Sequence, residues 1–132
     1  KTIIAFNLIG IVLMTHGFVA YPNAIAGLFF ENDPVGTDAF IRTMRVIFSA
    51  VLLYSVTSIL LATIQGAGAT RAAFRIEAIA VLLYVVVTWM MTVWRPQPVW
   101  IIWRVEWVYF SAMGLGSWWT LRRRTWLLPA AI

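Results

Sequence analysis

Four long apolar stretches, separated by short segments that contain proline, glycine or charged residues, organise the chain. They cover residues 2–20, 38–64, 70–94 and 99–121. Each is long enough to cross a bilayer as an α-helix, which takes roughly 20 mostly apolar residues. The pattern therefore predicts an all-α integral membrane protein in which residues 1–132 form one domain, a bundle of four transmembrane helices.

Local residue types predict where these helices begin and end. Helix one stops at Tyr21-Pro22, because proline disfavours helical geometry in the residue before it. Thr37 or Asp38 can cap the N-terminus of helix two, and Gly66-Ala67-Gly68 ends it. The segment Arg95-Pro96-Gln97-Pro98 predicts a tight turn between helices three and four.

The connection after helix one contains a second, shorter apolar segment. Residues 22–30, with the sequence PNAIAGLFF, place proline in the first turn of a short helix. The segment predicts an interfacial helix between helices one and two. The pattern Ala24-Ile25-Ala26 also fits a signal-peptide cleavage site. We favour a membrane helix, because the preceding stretch is longer than a usual signal core and carries Asn7 and His16.

The composition indicates lipid rather than water as the main solvent. Hydrophobic residues make up 62% of the chain and charged residues 11%, whereas soluble domains have about 45–50% and about 25%. The absence of cysteine excludes disulfides, thiolate catalysis and cysteine-ligated metal sites. The net charge of +5 comes from basic residues at predicted helix ends, where they set topology and meet anionic lipid. Nucleic acid is therefore not a predicted partner.

The distribution of basic residues predicts the orientation. One side of the bundle carries Lys1, Arg71, Arg75, Arg122, Arg123 and Arg124, and the other carries Arg42, Arg45, Arg95 and Arg104. Lysine and arginine are retained in the cytoplasm during insertion. The excess on the first side predicts cytoplasmic N- and C-termini in a membrane of the bacterial inner-membrane type.

Tryptophan is concentrated at the ends of helices three and four. Seven of the eight tryptophans lie there: Trp94, Trp100, Trp103, Trp107, Trp118, Trp119 and Trp126. Amphipathic indole rings are enriched at headgroup depth. The pattern predicts interfacial anchors, with stacking on a cofactor as the alternative.

Polar residues inside the apolar stretches are the candidate functional residues, because a charge costs about 2.5–3.5 kcal/mol at mid-membrane. At about 1.5 Å per residue, Arg45 and Glu106 lie at similar depth near the periplasmic end, so that they can meet. The predicted outer layer consists of His16, Arg42, Arg45 and Glu106, and a second, inner layer of Asn7, Arg75 and Glu77. The two layers are expected to tie helix two to helix four and helix one to helix three.

The outer layer has two interpretations. A carboxylate, an imidazole and guanidinium groups together can bind an anionic headgroup or perform acid–base chemistry. Alternatively, buried ion pairs fix which helices pack together, and arginines near helix ends extend to the interface. We favour the structural interpretation.

Candidate cofactor chemistry is limited to one residue. His16 can ligate haem or a chlorophyll-type pigment through a ring nitrogen, but one histidine cannot complete a bis-histidine site. No cofactor and no metal site is predicted, and ligation by His16 stays an alternative.

Small residues mark one face of helix four. Ala112 and Gly116 are separated by three residues, with Ser111, Gly114 and Ser117 nearby. Such a surface lets another helix approach closely. Internal packing is the usual use of such a face, and docking of a partner protein is the alternative.

The order of several features resembles a known family. Pro22 is followed by Leu28-Phe29 and an acidic loop, then Asp38 and Arg42 open helix two, and an arginine leads helix three. This order resembles a family of small four-helix bacterial membrane proteins of unknown function. The resemblance covers most of the chain and implies architecture, because that family has no assigned activity to carry over.

The predicted function is that of a non-enzymatic accessory, assembly or structural subunit of a larger membrane complex, for example a photosynthetic or respiratory one. Its partners would be the lipid bilayer and other transmembrane subunits. The alternative is a small lipid- or quinone-binding membrane protein or enzyme that uses the outer layer. A third hypothesis, a transporter unit, rests on the sequence AVLLY at both 50–54 and 80–84, because inverted repeats occur in transporters.

Overall fold

The computed structural model describes residues 2–30 and 33–123, and every regular element in that part of the chain is helical. The elements are α1 (Thr2–Thr15), α2 (Gly17–Ala20), α3 (Pro22–Gly27), α4 (Pro34–Gly66), α5 (Thr70–Trp89), a π-helical turn (Met90–Trp94), α6 (Val99–Ile102) and α7 (Val105–Arg123). The predicted all-α class is confirmed. Within the described residues, α4 and the continuous helix Thr70–Trp94 are long and apolar enough to cross a membrane.

The first apolar stretch forms two helices that meet at His16. The backbone of His16 is itself helical, with φ −56° and ψ −30°. Its N–H donates to the carbonyl of Val12 at 2.8 Å, and its carbonyl accepts from Ala20 at 2.8 Å. Hydrogen bonding thus continues from α1 into α2, and the predicted helix over residues 2–20 is found with one irregular position.

The start of α4 differs from the prediction. Asp33 caps the helix, because its side chain accepts hydrogen bonds from the N–H groups of Val35 and Gly36 at 3.1 and 3.0 Å. Pro34 occupies the first turn, where its missing N–H costs no hydrogen bond. The prediction of Thr37 or Asp38 as the cap is wrong. The resulting helix has 33 residues, or roughly 50 Å at 1.5 Å per residue.

The turn between α4 and α5 follows the predicted glycines. Gly68 has φ +80°, a left-handed conformation that glycine adopts without steric cost. The N–H of Gly68 donates to Gln65 at 2.9 Å and that of Ala69 to Ile64 at 3.2 Å, which is the Schellman pattern. Ile64 and Ala69 are both buried in the main apolar cluster. The cap therefore also packs the two helices together.

The main contacts between the long helices follow the order α1, α4, α7, α5, and a smaller contact joins α4 to α5. α1 packs mainly along α4, α4 packs along α7, and α7 packs along α5. The main apolar cluster joins the last three helices and contains Leu61, Ile64, Ala69, Ala73, Ala80 and Met113. The expectation that helix one is tied to helix three is wrong, because the neighbour of α1 is α4.

Two glycines bring α7 close to both of its neighbours. A Cβ at Gly114 would stand 2.5 Å from Cγ2 of Thr57 on α4, and a Cβ at Gly116 would stand 3.0 Å from Cγ2 of Ile76 on α5. A side chain at Gly114 would collide with Thr57 unless one of them moved, and a side chain at Gly116 would require Ile76 to shift slightly. The small residues of helix four therefore serve internal packing, as the sequence favoured.

Candidate functional site

Glu106 lies where α4, α5 and α7 approach one another. It stands in the first turn of α7 and is partly buried. Glu106 and Trp103 line two adjoining clefts. The cleft beside α4 has a volume of about 230 Å³ and is also lined by Ile47, Ala50, Val51 and Phe110. The cleft beside α5 has a volume of about 190 Å³ and is also lined by Tyr84 and Ile102. The carboxylate is thus open to small apolar spaces on both sides.

One polar neighbour of Glu106 is the neutral side chain of Tyr84, which lines the same cleft. The hydroxyl of Tyr84 faces the Glu106 carboxylate and the hydroxyl of Thr88. Thr88 Oγ1 is buried and has no hydrogen-bond partner with good geometry in the described residues. An ionised carboxylate has about four acceptor sites, and a phenol can donate to only one of them. Glu106 therefore has hydrogen-bonding capacity left for a ligand that donates.

An aromatic row fixes the helices around this carboxylate. The ring centroids of Tyr84 and Tyr109 are 5.8 Å apart, those of Tyr109 and Phe110 are 5.2 Å apart, and those of Phe110 and Tyr54 are 5.1 Å apart. The planes are tilted or edge-to-face, which is the favoured geometry for aromatic pairs. The row runs from α5 through α7 to α4, and two of its members, Phe110 and Tyr84, each line one of the clefts.

The members of the predicted outer layer have different surroundings. Arg42 Nε donates to Asp38 Oδ2 at 2.7 Å, and this is the only ion pair within residues 2–30 and 33–123. Arg45 is exposed and forms no ion pair with Glu106 in that part of the chain. The layer as one ligand-binding group stays a prediction.

Arg42 also belongs to a cationic and aromatic cluster at the start of α4. Its guanidinium carbon lies 5.6 Å from the centroid of the Trp100 ring, and that of Arg104 lies 5.0 Å from it. Trp107 Nε1–H donates to Ser49 Oγ at 3.1 Å. Two of the predicted anchor residues, Trp100 and Trp107, therefore also join α6 and α7 to α4.

The remaining predicted anchors lie at the helix ends. The side chains of Trp94 and Trp103 are exposed. At the other end of α7, Arg122 and Arg123 lie over the rings of Trp118 and Trp119 at 5.1 and 4.1 Å. Three residues that entered the predictions lie outside the described residues: Lys1, Arg124 and Trp126.

His16 is exposed and lies apart from the Glu106 clefts. Its Nδ1 is 2.6 Å from the carbonyl oxygen of Leu13. Because a carbonyl only accepts, Nδ1 is the donor in this contact, and in a neutral ring Nε2 would then be the acceptor. This tautomer is the one that a metal-ligating histidine adopts. Ligation of haem or pigment by His16 stays a prediction, and the described residues contain no group of three potential metal ligands.

The members of the predicted inner layer, like those of the outer layer, have different surroundings. Asn7 Nδ2 donates to the backbone carbonyl of Ser55 at 3.0 Å and so joins α1 to α4. Arg75 is exposed and lines a concavity of about 400 Å³ together with Thr70, Arg71 and Phe74. Glu77 is exposed, although it lies near enough to Tyr109 for an electrostatic interaction. Asn7 is therefore a link between helices one and two.

One cavity was not predicted from the sequence, which indicated a turn at Arg95 to Pro98 and an interfacial anchor at Trp94. It has a volume of about 500 Å³ and is lined by Met90, Met91, Trp94, Arg95, Gln97 and Ile101. Its shape depends on the π-helical turn at the end of the helix Thr70–Trp94. Hydropathy does not distinguish a π-helical turn from the α-helix before it, so the apolar pattern carries no signal for this cavity.

Comparison of the chain with protein-family models, curated proteins and solved structures finds no match. The resemblance to small four-helix bacterial membrane proteins therefore stays a prediction. The function has to be argued from the geometry of the chain.

Proposed function

We propose that the chain is an integral membrane protein with four crossings that serves as a non-enzymatic subunit of a larger membrane complex. The observation that carries this proposal is the outer face of α5. Only Ala73 and Ala80 are buried in this helix. Its exposed large apolar residues are Phe74, Ile79, Val81, Leu82, Leu83, Val85, Val86 and Trp89. Soluble monomers rarely expose apolar patches larger than a few hundred Å², so this face belongs in lipid or against another membrane helix.

α1 also exposes large apolar side chains. α1 has no buried residue. Its exposed apolar residues include Ile3, Phe6, Ile9, Val12, Leu13 and Met14. Residues 2–20 would reach roughly 28 Å at 1.5 Å per residue, close to a hydrocarbon core of about 30 Å. Together with α6 and α7, which run beside the two longer spans, they supply the third and fourth crossings.

The proposed orientation follows from the charges at the two ends. Arg71 and Arg75 begin α5, and Arg122 and Arg123 end α7, so all four lie at one end of the row. Retention of basic residues on the cytoplasmic side favours cytoplasmic termini in a bacterial inner membrane. The interfacial role of α3 belongs to the same proposal.

A subunit role is favoured over a solitary protein by the open arrangement of the helices. α1 packs on α4 rather than on α5, whereas a closed bundle would pack α1 against α5. Helix association in lipid depends on van der Waals contact and interhelical hydrogen bonds. The row leaves both edges available to transmembrane helices of partner subunits, such as those of photosynthetic or respiratory complexes.

The test places a photo-crosslinking residue at Leu82, which is 65% exposed on the outer face of α5. In native membranes, we expect a crosslinked product with the discrete added mass of a partner polypeptide. The matched control is the same probe at Ala80, which is buried and should react within the chain. Lipid adducts alone at Leu82, together with a protein that always purifies in mild detergent as a monomer or homodimer, would contradict the subunit role.

A second candidate function is supported by the two clefts that meet at Glu106. A small lipid- or quinone-binding protein needs an apolar space with a few polar groups that orient the ligand. Glu106 can accept a hydrogen bond from a quinol or headgroup hydroxyl, while Trp103 and Phe110 supply apolar walls. Under this hypothesis, Glu106 and Tyr84 would be the binding residues.

Glu106→Gln separates this candidate from a structural role. The hypothesis expects weaker binding of a short-chain quinol in detergent, because a neutral amide oxygen accepts a hydrogen bond less strongly than a carboxylate, with unchanged helix content and thermal stability. Glu77→Gln is the control, because Glu77 is an exposed carboxylate on α5. Equal loss of stability and binding in Glu106→Gln would indicate that the carboxylate serves packing.

A further inference from the structure

Hydrogen bonds and prolines constrain the backbone beside the cavity at the π-helical turn. The N–H of Arg95 donates to the carbonyl of Met90 at 2.9 Å, and that of Gln97 donates to Met91 at 3.1 Å. These bonds satisfy carbonyls at the end of the helix that would otherwise lack partners. Pro96 and Pro98 restrict the backbone on either side of Gln97. These bonds and prolines therefore constrain the backbone that borders the cavity.

Its lining divides into an apolar wall and a polar rim. Met90, Met91 and Ile101 supply flexible or branched apolar surface, and Arg95 and Gln97 supply hydrogen-bond donors. Among residues 2–30 and 33–123, no acidic side chain forms an ion pair with Arg95. The volume of about 500 Å³ falls within the range of about 300–1,000 Å³ that is usual for ligand sites. The cavity suits an amphipathic ligand with an anionic end.

The position of the cavity indicates the source of this ligand. It lies at the end of the 25-residue helix Thr70–Trp94, next to Trp94, whose side chain is 71% exposed. Tryptophan at the end of a membrane helix marks the headgroup region. The guanidinium of Arg95 would then lie at the depth of lipid phosphates.

We propose that this cavity binds an anionic phospholipid. The phosphodiester accepts hydrogen bonds from the Arg95 guanidinium and the Gln97 amide, and the first part of an acyl chain lies along Met90, Met91 and Ile101. A guanidinium is permanently charged and matches phosphate with paired donors, which favours a phospholipid over a neutral quinone. Arg42 and Arg104 at the same end are already engaged with the Trp100 ring. This inference rests on the proposed membrane insertion.

Binding of phosphatidylglycerol to the purified, delipidated chain in mild detergent tests the proposal, with native mass spectrometry as the readout. Arg95→Gln is expected to bind phosphatidylglycerol at least about tenfold more weakly, as for loss of a hydrogen bond to a charged group. Phosphatidylcholine, which has no net charge, should show little dependence on Arg95. Arg104→Gln is the matched control and should bind like the wild type.

A second variant tests the apolar wall without changing the charge. Met91→Trp should fill the cavity and weaken phosphatidylglycerol binding while Arg95 is retained. Circular dichroism and size-exclusion profiles check that each variant is folded. Equal binding by Arg95→Gln and the wild type, or equal loss in Arg95→Gln and Arg104→Gln, would overturn the proposal.

Failure of the membrane proposal itself has a different signature. Alkaline extraction of membranes would release the wild-type chain into the soluble fraction if it were not inserted. That result would overturn both proposals. A chain that resists extraction but binds lipid independently of Arg95 would overturn only the phospholipid site.

Discussion

α5 and α7 have nearly the same length, 20 and 19 residues, but opposite surroundings. α7 lies between two helices and buries Val105, Met113, Gly114 and Ser117. α5 lies at the edge of the row, and its only buried residues are two alanines. The helix richer in large aliphatic side chains is the one that exposes them.

In a water-soluble protein, the helix richer in large aliphatic side chains would be expected to be the buried one, and here it is the exposed one. In water, burial of large apolar side chains is the main favourable term in folding. In lipid, tails are as apolar as leucine, and close backbone approach through small residues becomes the better source of packing energy. Gly114 and Gly116 give α7 that close approach, whereas the outward leucines and valines of α5 suit a lipid solvent. Under the proposed membrane insertion, the solvent rather than the amount of apolar surface would explain which helix is central.

The largest expected effect comes from placing a charge on the outer face of α5. Leu82→Arg should oppose membrane insertion by about 2.5–3.5 kcal/mol, the cost of a charge near the bilayer centre. The fraction of chain that resists alkaline extraction measures the effect, and Leu82→Ala is the control with no added charge. Normal insertion of Leu82→Arg would mean that the outer face of α5 does not meet lipid, and the comparison with α7 would lose its physical basis.

A smaller effect is expected from adding one methyl group to α7. Gly114→Ala places a Cβ against Thr57 and should destabilise the α4–α7 contact by about 1–3 kcal/mol, as overpacking usually does. Thermal unfolding in detergent provides the measurement. Gly10→Ala on α1 is the matched control, because a Cβ there meets nothing within 4 Å. If both variants lose stability equally, close packing is not what places α7 at the centre.

Much of the architecture is predictable from local chemistry. The glycines after α4 and the prolines before α6 mark real turns, because their backbone preferences act without help from the rest of the fold. The start of α4 was also encoded, in Asp33-Pro34, but hydropathy alone draws attention to residues further along the helix. The prediction failed there because the cap lies outside the apolar stretch.

The direction in which each polar residue points could not be predicted. The rise per residue gives the depth of Glu106 and Arg45 along their helices, but not their angle around the helix axis. α1 and α5 are apolar on nearly all sides, so no amphipathic stripe indicates which neighbour they contact. Depth alone therefore allows Arg45 to meet Glu106, whereas no ion pair joins them within residues 2–30 and 33–123, and Glu106 shares a cleft with Tyr84.

The smallest expected effect concerns Asn7, which tests whether α1 packs on α4. Its side chain donates to the carbonyl of Ser55 on α4. Asn7→Leu removes this bond and should weaken the contact by about 0.6 kcal/mol, the average for such bonds within membranes. A disulfide-trapping assay between cysteines placed on α1 and α4 would report slower crosslinking, with Thr15→Val as the control, because Thr15 bonds only within α1. Faster trapping of α1 to α5 than to α4 in the wild-type background would contradict the open row and restore a closed bundle.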